Sequence, residues 1–205
     1  TLNIRFYTNQ DDLSSAYQNW NIQSMGGIDP EVALKITEIG GTIQKSNLPL
    51  PRVFAVFFNQ NNQRALTQLS ARKALTQAID KSQITEGIFK GFAAPIDGPI
   101  PPGAIGAATS SPAVTESADI RHAGARDILE KDNWKFNEEK QVYEKSIGSS
   151  SKKETIELTF SLSTADTPEL KRAAEIIIAE WQAIGAKVDL KVFEIGDLNQ
   201  NVIRP

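Results

Sequence analysis

The stretch LSARKALTQAIDKSQITEGIFKG, residues 69–91, decides how the chain reads. It describes two short helices in tandem. Ser70 is placed to cap the first, and Ala71, Ala74, Leu75, Ala78 and Ile79 then recur at helical spacing to form one narrow apolar face. Asp80 ends that helix and caps the next. With Gln83 it makes an Asp-x-x-Gln capping box, in which each side chain serves an otherwise orphan backbone N–H. Ile84, Ile88 and Phe89 give the second helix its buried side, and Gly91 stands where a left-handed C-cap falls. A face made of alanines implies close packing, here against a sheet. Arg72 sits near the start of the first helix, where the dipole does not favour a cation. It therefore calls for a partner, either a carboxylate or the carbonyls of a neighbouring loop.

Upstream, Val53–Phe58 is apolar on both faces, the mark of a central strand. Thr42–Ser46 reads as a second strand, separated from it by a Pro-rich turn at 47–51. Asn59 closes the central strand. Its side chain either bonds its own backbone at the strand exit or faces a ligand. Leu2, Ile4 and Phe6 alternate with polar residues and predict a half-buried strand. Asp11 or Asp12 caps a helix carrying Leu13, Ala16, Tyr17 and Trp20. Asp29 and Pro30 start another, which Gly40-Gly41 ends.

Downstream, residues 92–114 form a long Pro/Gly/Ala/Ser loop, which should lie extended over a surface or in a cleft. Asp119–Trp134 is a helix with Asn133 suited to the left-handed position after it. His122 within it reads as a surface or capping histidine rather than a ligand. Residues 135–153 are polar and predict a loose hairpin or mobile loop with a Gly148–Ser151 tip. Ile156, Leu158, Phe160 and Leu162 alternate as a strand with one wet face. Thr167-Pro168 opens the longest helix, whose stripe is Leu170, Ala173, Ala174, Ile177, Trp181 and Ile184, and Gly185 ends it. Val188, Leu190 and Val192 follow as a strand. Strand, helix and strand of these lengths imply a right-handed βαβ unit with parallel strands.

The 205 residues suffice for one sizeable α/β unit or two small ones. With no cysteine, disulfides, thiol catalysis and Cys-ligated metals are excluded. The single histidine and the lack of a Gly-x-Ser-x-Gly elbow give acyl transfer no support. A net charge of −3 offers no electrostatic case for nucleic acid or anionic lipid. Gly26-Gly27 and Gly40-Gly41 lack the spacing and the Lys of a phosphate loop. Adjacent carboxylates such as Asp11/Asp12 and Glu138/Glu139 diverge on any regular element and cannot act as an acid–base couple. The residues therefore do not read as an enzyme, and they call for no cofactor and no metal site. No apolar run reaches the ~20 residues of a membrane span. A start at Thr1 suggests a processed or excised chain.

Arg72–Lys81, followed by Ile84, Ile88 and Gly91, resembles the Arg-x-Ala-Leu-x-x-Ala-Ile-Asp-Arg/Lys signature of the extracytoplasmic solute-binding proteins of peptide and nickel ABC importers, the family 5 type. Gly27-Ile28-Asp29, Phe58-Asn59, Gly98–Gly103, Ala125–Trp134 and Ala183–Val188 are similar to further family segments in the same order, with Asn133 replacing the usual Gly. The resemblance implies an α/β lobe of a type II periplasmic-binding-protein-like fold, a mixed sheet flanked by helices, with residues 1–205 as the second lobe only. It implies capture of a small solute, a peptide foremost, between two lobes outside the cytoplasm, and delivery to a membrane permease. The partners would be that solute, the missing first lobe and the permease subunits, with the protein itself a monomer. A nickel or other small-solute binder, or a sensor module on the same lobe, is the alternative. Ligands of open α/β sheets sit beyond the carboxyl ends of the strands. That assigns Asn59, Ser163, Thr164 and Ile195 to the ligand. Family members often carry an aromatic near Ile195, so the isoleucine departs from the pattern. The family's acidic anchor for a peptide amino group would lie beyond Pro205.

Overall fold

Residues 1–38, 52–101, 116–148 and 153–203 are described by a computed structural model. Its helices are α1 (Gln10–Gln18), α2 (Pro30–Glu38), α3 (Arg64–Thr67), α4 (Leu69–Ala78), α5 (Lys81–Gly87), α6 (Ala118–Lys131), α7 (Pro168–Ala183) and α8 (Ile195–Asp197), with a π-type segment Leu198–Ile203 after the last. The strands are β1 (Lys135–Asn137), β2 (Val142–Ile147), β3 (Glu154–Glu157), β4 (Thr159–Ala165) and β5 (Lys187–Phe193). β1, β2 and β3 form an antiparallel meander, and β4 pairs with β5 in parallel.

The alanine face of α4 is the centre of the core. Ala71, Ala74, Leu75 and Ala78 are fully buried and pack with Ala125 and Leu129 of α6 and with Ile177, Trp181 and Ile184 of and after α7. Small side chains allow the helices to approach closely, and complete burial of a Leu75 or Leu129 stabilises by about 1.5–3 kcal/mol. The last carbonyls of α4 have no helical donors and find partners elsewhere. The buried Trp181 Nε1–H donates to the Leu75 carbonyl at 2.8 Å, and Arg121 Nε donates to that of Ala78 at 3.4 Å.

The meander and the parallel pair are joined at Leu158, which is fully buried between β3 and β4. Its N–H donates to Tyr143 O at 2.8 Å, and its carbonyl accepts from Lys187 N at 2.9 Å. One continuous stretch of chain thus leaves the antiparallel partner and takes up the parallel one. The expected alternation holds, with Ile156, Leu158 and Phe160 buried. Helix α7 ends in the expected glycine. Gly185 has φ +86, Gly185 N–H bonds Gln182 O and Ala186 N–H bonds Trp181 O, a Schellman motif. Asn133, at φ +61, ends α6 in the same way, with Trp134 N–H returning to Leu129 O. Gly91 also takes a positive φ, as expected.

Four expectations differ from the structure. Residues 2–7 and 53–58 are not strands. Leu2 is 85% exposed, Phe6 93% and Phe57 90%, and among the described residues neither segment has a pairing partner. Only Val56 and Phe58 of the second segment pack against the core. Residues 135–147 take the hairpin alternative of the expected loose hairpin or mobile loop, as β1 and β2, anchored by Asn137 Oδ1 accepting from the N–H groups of Glu139 and Lys140, and residues 149–152 lie outside the described residues. Ser70 is not a cap, because α4 begins at Leu69 after Gln68. Asn9, not Asp11 or Asp12, caps α1, its side chain accepting from Asp12 N at 2.7 Å. The readings of Thr42–Ser46, Gly40-Gly41 and most of the 92–114 loop lie outside the described residues.

Candidate functional site

The parallel strands end together at Ala165 and Phe193, and Asp166 N–H extends the ladder to Phe193 O at 2.7 Å. Ser163 pairs with Lys191 and Thr164 with Val192, so both hydroxyl residues lie in the last turn of the pleat. Both are half-buried, and among the described residues neither hydroxyl has a hydrogen-bond partner. Being adjacent on a strand, they point to opposite faces of the sheet. Ile195 opens α8 two residues beyond Phe193 and is 61% exposed. The structure therefore brings Ser163, Thr164 and Ile195 to one end of the β4–β5 pair. Asn59 is exposed at the end of an unpaired segment, and its Oδ1 accepts from Asn61 N–H at 3.0 Å. That is the local backbone bond foreseen for it.

The same end carries charge that the sequence reading did not single out. Asp29, before α2, faces Glu169 in the first turn of α7. Burial first, then the hydrogen bond shared with Glu169 and the charges of Glu169 and Glu31, raise the Asp29 carboxyl above the ordinary aspartate range. Arg172 of α7 pairs with Glu31 at 3.3 Å. The available signal was a repeated pattern, Asp29-Pro30-Glu31 and Thr167-Pro168-Glu169, which starts both helices with acid near the N-terminus.

The second polar cluster holds helices together. Arg121 is buried and joins Asp80 (3.3 Å) to Glu180 (3.5 Å), and it also donates to Glu116 O at 2.6 Å. His122 Nε2 meets the same Glu180 oxygen at 2.6 Å. His122 is thus neither a surface nor a capping residue but a half-buried link from α6 to α7. Asp80 meanwhile caps α5 through Ser82 N and Gln83 N, as expected. Arg72 donates to the carbonyls of Leu66 (2.7 Å) and Thr67 (3.0 Å), backbone partners as expected but in the last turn of α3 rather than in a loop. It closes the C-terminus of α3, where a cation is favoured.

The described geometry offers two open hydroxyls, strand-end backbone and an acidic margin, the equipment for holding a polar solute. The model of the bacterial extracellular solute-binding proteins, family 5 Middle, matches residues 1–202. A search of curated proteins finds no match. Among solved structures, NikA from Brucella suis in complex with Fe(III)-EDTA is similar over 94% of this chain, with TM-score 0.69 and 20% identity. OppA of Burkholderia pseudomallei is similar over 95% (TM-score 0.65, 18% identity). The oligopeptide-binding protein AppA from Bacillus subtilis, in complex with a nonapeptide, is similar over 94% (TM-score 0.62, 16% identity). The chain spans 37%, 35% and 36% of the length of those three.

Proposed function

The chain belongs to the bacterial extracellular solute-binding proteins, family 5, and from that premise we propose that it is one lobe of the solute-capturing component of an ABC importer. Its α/β architecture is part of the type II periplasmic-binding-protein fold of its structural neighbours. The solute is a peptide, held between this lobe and a second one outside the cytoplasm and passed to permease subunits. Ligand binding would favour the closed arrangement of the two lobes, without any bond being made or broken. One observation carries this reading: Ser163, Thr164 and Ile195 gather at the open carboxyl end of the parallel pair, where α/β sheets bind ligands. The acidic margin of Asp29 and Glu169 suits the amino group of such a ligand. Asn59 belongs to the ligand set only through its place at the exit of residues 53–58. Among the described residues no helix is long and apolar enough to cross a membrane.

A nickel chelate is the second reading, because one neighbour is NikZ from Campylobacter jejuni in complex with Ni(L-His), at TM-score 0.57 over 94% of this chain. Amide NMR titration of the chain with di- to pentapeptides, and separately with Ni(L-His), tests both. Peptide should shift the amides of Ser163, Thr164 and Ile195 saturably, with an affinity weaker than about 1 μM because one lobe supplies only part of the contacts. Submicromolar binding would overturn the two-lobe reading. Shifts confined to other elements would overturn the site. Response to the chelate alone would transfer the assignment to the second reading.

A further inference from the structure

An open cavity of about 580 Å³ lies at the other end of β5, where α6, the end of α7 and the β1–β2 hairpin meet. Six strand steps separate Lys187 from Phe193, so this cavity is roughly 20 Å from the carboxyl end. Its lining includes three cations, Arg126, Lys140 and Lys187, and no carboxylate, in a chain that holds 25 acidic residues against 22 Lys and Arg. Lys140 is already neutralised by Glu157 at 2.7 Å and Glu144 at 3.7 Å. Arg126 spends one nitrogen on the Ala183 carbonyl at 2.7 Å. Among the described residues, neither Arg126 nor Lys187 has a carboxylate within ion-pair distance.

The acid nearest in sequence to Arg126 on the same face of α6, Glu130, is committed. Its Oε1 accepts the Tyr143 hydroxyl at 2.8 Å, and burial, with that bond, pushes the phenol up to about 12. The phenol therefore stays a donor and keeps Glu130 engaged. The remaining wall is aromatic. Phe136 is 42% exposed and its ring lies 5.3 Å from that of Tyr143, both against the bare Cα of Gly185. Gln141 and Gln182 add amides at the rim.

The half-exposed ring of Phe136 beside two cations that no described carboxylate pairs is the complement of one ligand class. We propose that this cavity binds a small organic anion, an aromatic carboxylate, with its ring on Phe136 and its carboxylate between Arg126 and Lys187. The volume lies in the range of small-molecule sites, and charge-assisted bonds to a carboxylate are the strong ones. The site is separate from the solute end, so it stands or falls independently of the function proposed above.

The test is amide NMR titration of the whole chain with benzoate, benzamide and inorganic phosphate at constant ionic strength. Benzoate should shift Phe136, Gln141, Gly185 and Lys187 saturably. Neutral benzamide and ringless phosphate should each bind roughly tenfold more weakly or not at all. Lys187→Gln, on an exposed side chain, should weaken benzoate roughly tenfold while the rest of the spectrum stays in place. Arg126→Gln should do the same, though it also removes the bond to Ala183 O. Equal response to benzamide, equal response to phosphate, unsaturable shifts, or an unchanged benzoate affinity in Lys187→Gln would each overturn the proposal.

Discussion

At the scale of the residue, Gly185 is the least replaceable position. A Cβ there would stand 2.8 Å from Tyr143 Cδ2 and 3.0 Å from Phe136 Cε2, on a backbone at φ +86. Left-handed backbone and overpacking act together, so Gly185→Ala should cost about 2–4 kcal/mol, read as a lower urea midpoint with unchanged m. Ser70 is a node rather than a cap. It accepts the buried Trp134 Nε1–H at 3.0 Å and donates to Asp132, which also holds Lys145 at 2.7 Å. Ser70→Ala leaves the indole donor unpaired and should cost about 1–3 kcal/mol. Trp134 near-ultraviolet dichroism would report the loss directly. Nothing in residues 69–91 alone reveals this role, because both partners lie more than sixty positions away and only the fold brings them together.

The carboxyls of Asp29 and Asp132 are shifted in opposite directions. Asp29 is raised, chiefly by burial, so its contribution to stability is fully present below about pH 4 and is lost as pH rises through its raised value. Asp132 is lowered, first by Lys145 and then by Ser70, so its contribution is present above about pH 4 and is lost as pH falls through its depressed value. Asp29→Asn keeps the size of the side chain and removes the repulsion from Glu169. It should raise stability near neutral pH by a few tenths of a kcal/mol, roughly the size of partly exposed pair effects, and lose that advantage at about pH 3. Denaturant melts at the two pH values decide it, and an equal gain at both would contradict the linkage.

At the scale of the element, the long helices were legible because a 3.6-residue stripe states which face is buried. The alanine face of α4 is buried as read, though mainly against helices α6 and α7 rather than a sheet, and of the α7 stripe Ile177, Trp181 and Ile184 join the same cluster. Caps were legible where a single residue type does the work, as at Asp80, Asn133 and Gly185. The strands were less so. Alternation at 2–7 and 53–58 shows that those residues favour burial, but not whether a pairing edge is within reach, and here none is described. For residues 135–153 the sequence left a hairpin and a mobile loop open, because the turn is polar and rests on Asn137 and on Gln141 at φ +56, while Val142 and Tyr143 seat β2 in the core. The position of Ser163, Thr164 and Ile195 at the ends of the parallel strands was readable from the βαβ pattern. The facing of Asp29 and Glu169 was not, because it depends on how α2 lies against α7.

Arg121 shows how an element can depend on one long-range ion group. Its side chain is 10% exposed and lies between Asp80 at 19% and Glu180 at 13%. Removing the cation strands two carboxylates and unties the α4–α5 corner from α6 and α7. Arg121→Met should therefore cost about 3–5 kcal/mol, the range for breaking a buried pair, whereas Lys131→Met, in an exposed i,i+4 pair, should cost about 0.5 or less. Equal costs in thermal melts would show that the Arg121 cluster is solvated after all.

At the scale of the whole molecule, the core is unevenly supplied. Among the described residues its buried cluster begins at Ala65 and runs to Val188, and those before it add only Val56 and Phe58 at the margin. Ala16 and Ile36 are buried, but outside that cluster. Among the described residues the polar ties from α2 to α7 are Glu31 to Arg172 at 3.3 Å, with exposures of 54% and 61%, and Asp29 against Glu169. Exposed pairs contribute about 0–1 kcal/mol, whereas the α4–α6–α7 centre rests on full burial of Leu75, Leu129 and Trp181. Opening α1 and α2 therefore leaves that cluster covered, and opening α4 exposes it. Native-state hydrogen exchange should resolve two levels. Amides of α1 and α2 should exchange through a low-energy opening. Those of α4, α6 and α7 should exchange only near the global unfolding free energy, higher by at least roughly 2 kcal/mol. Arg172→Ala should lower the first level and leave the second in place, since the pair it removes touches only the weakly held segment. A single protection level across both sets would mean that α1 and α2 are bound into the same cooperative unit by contacts beyond these.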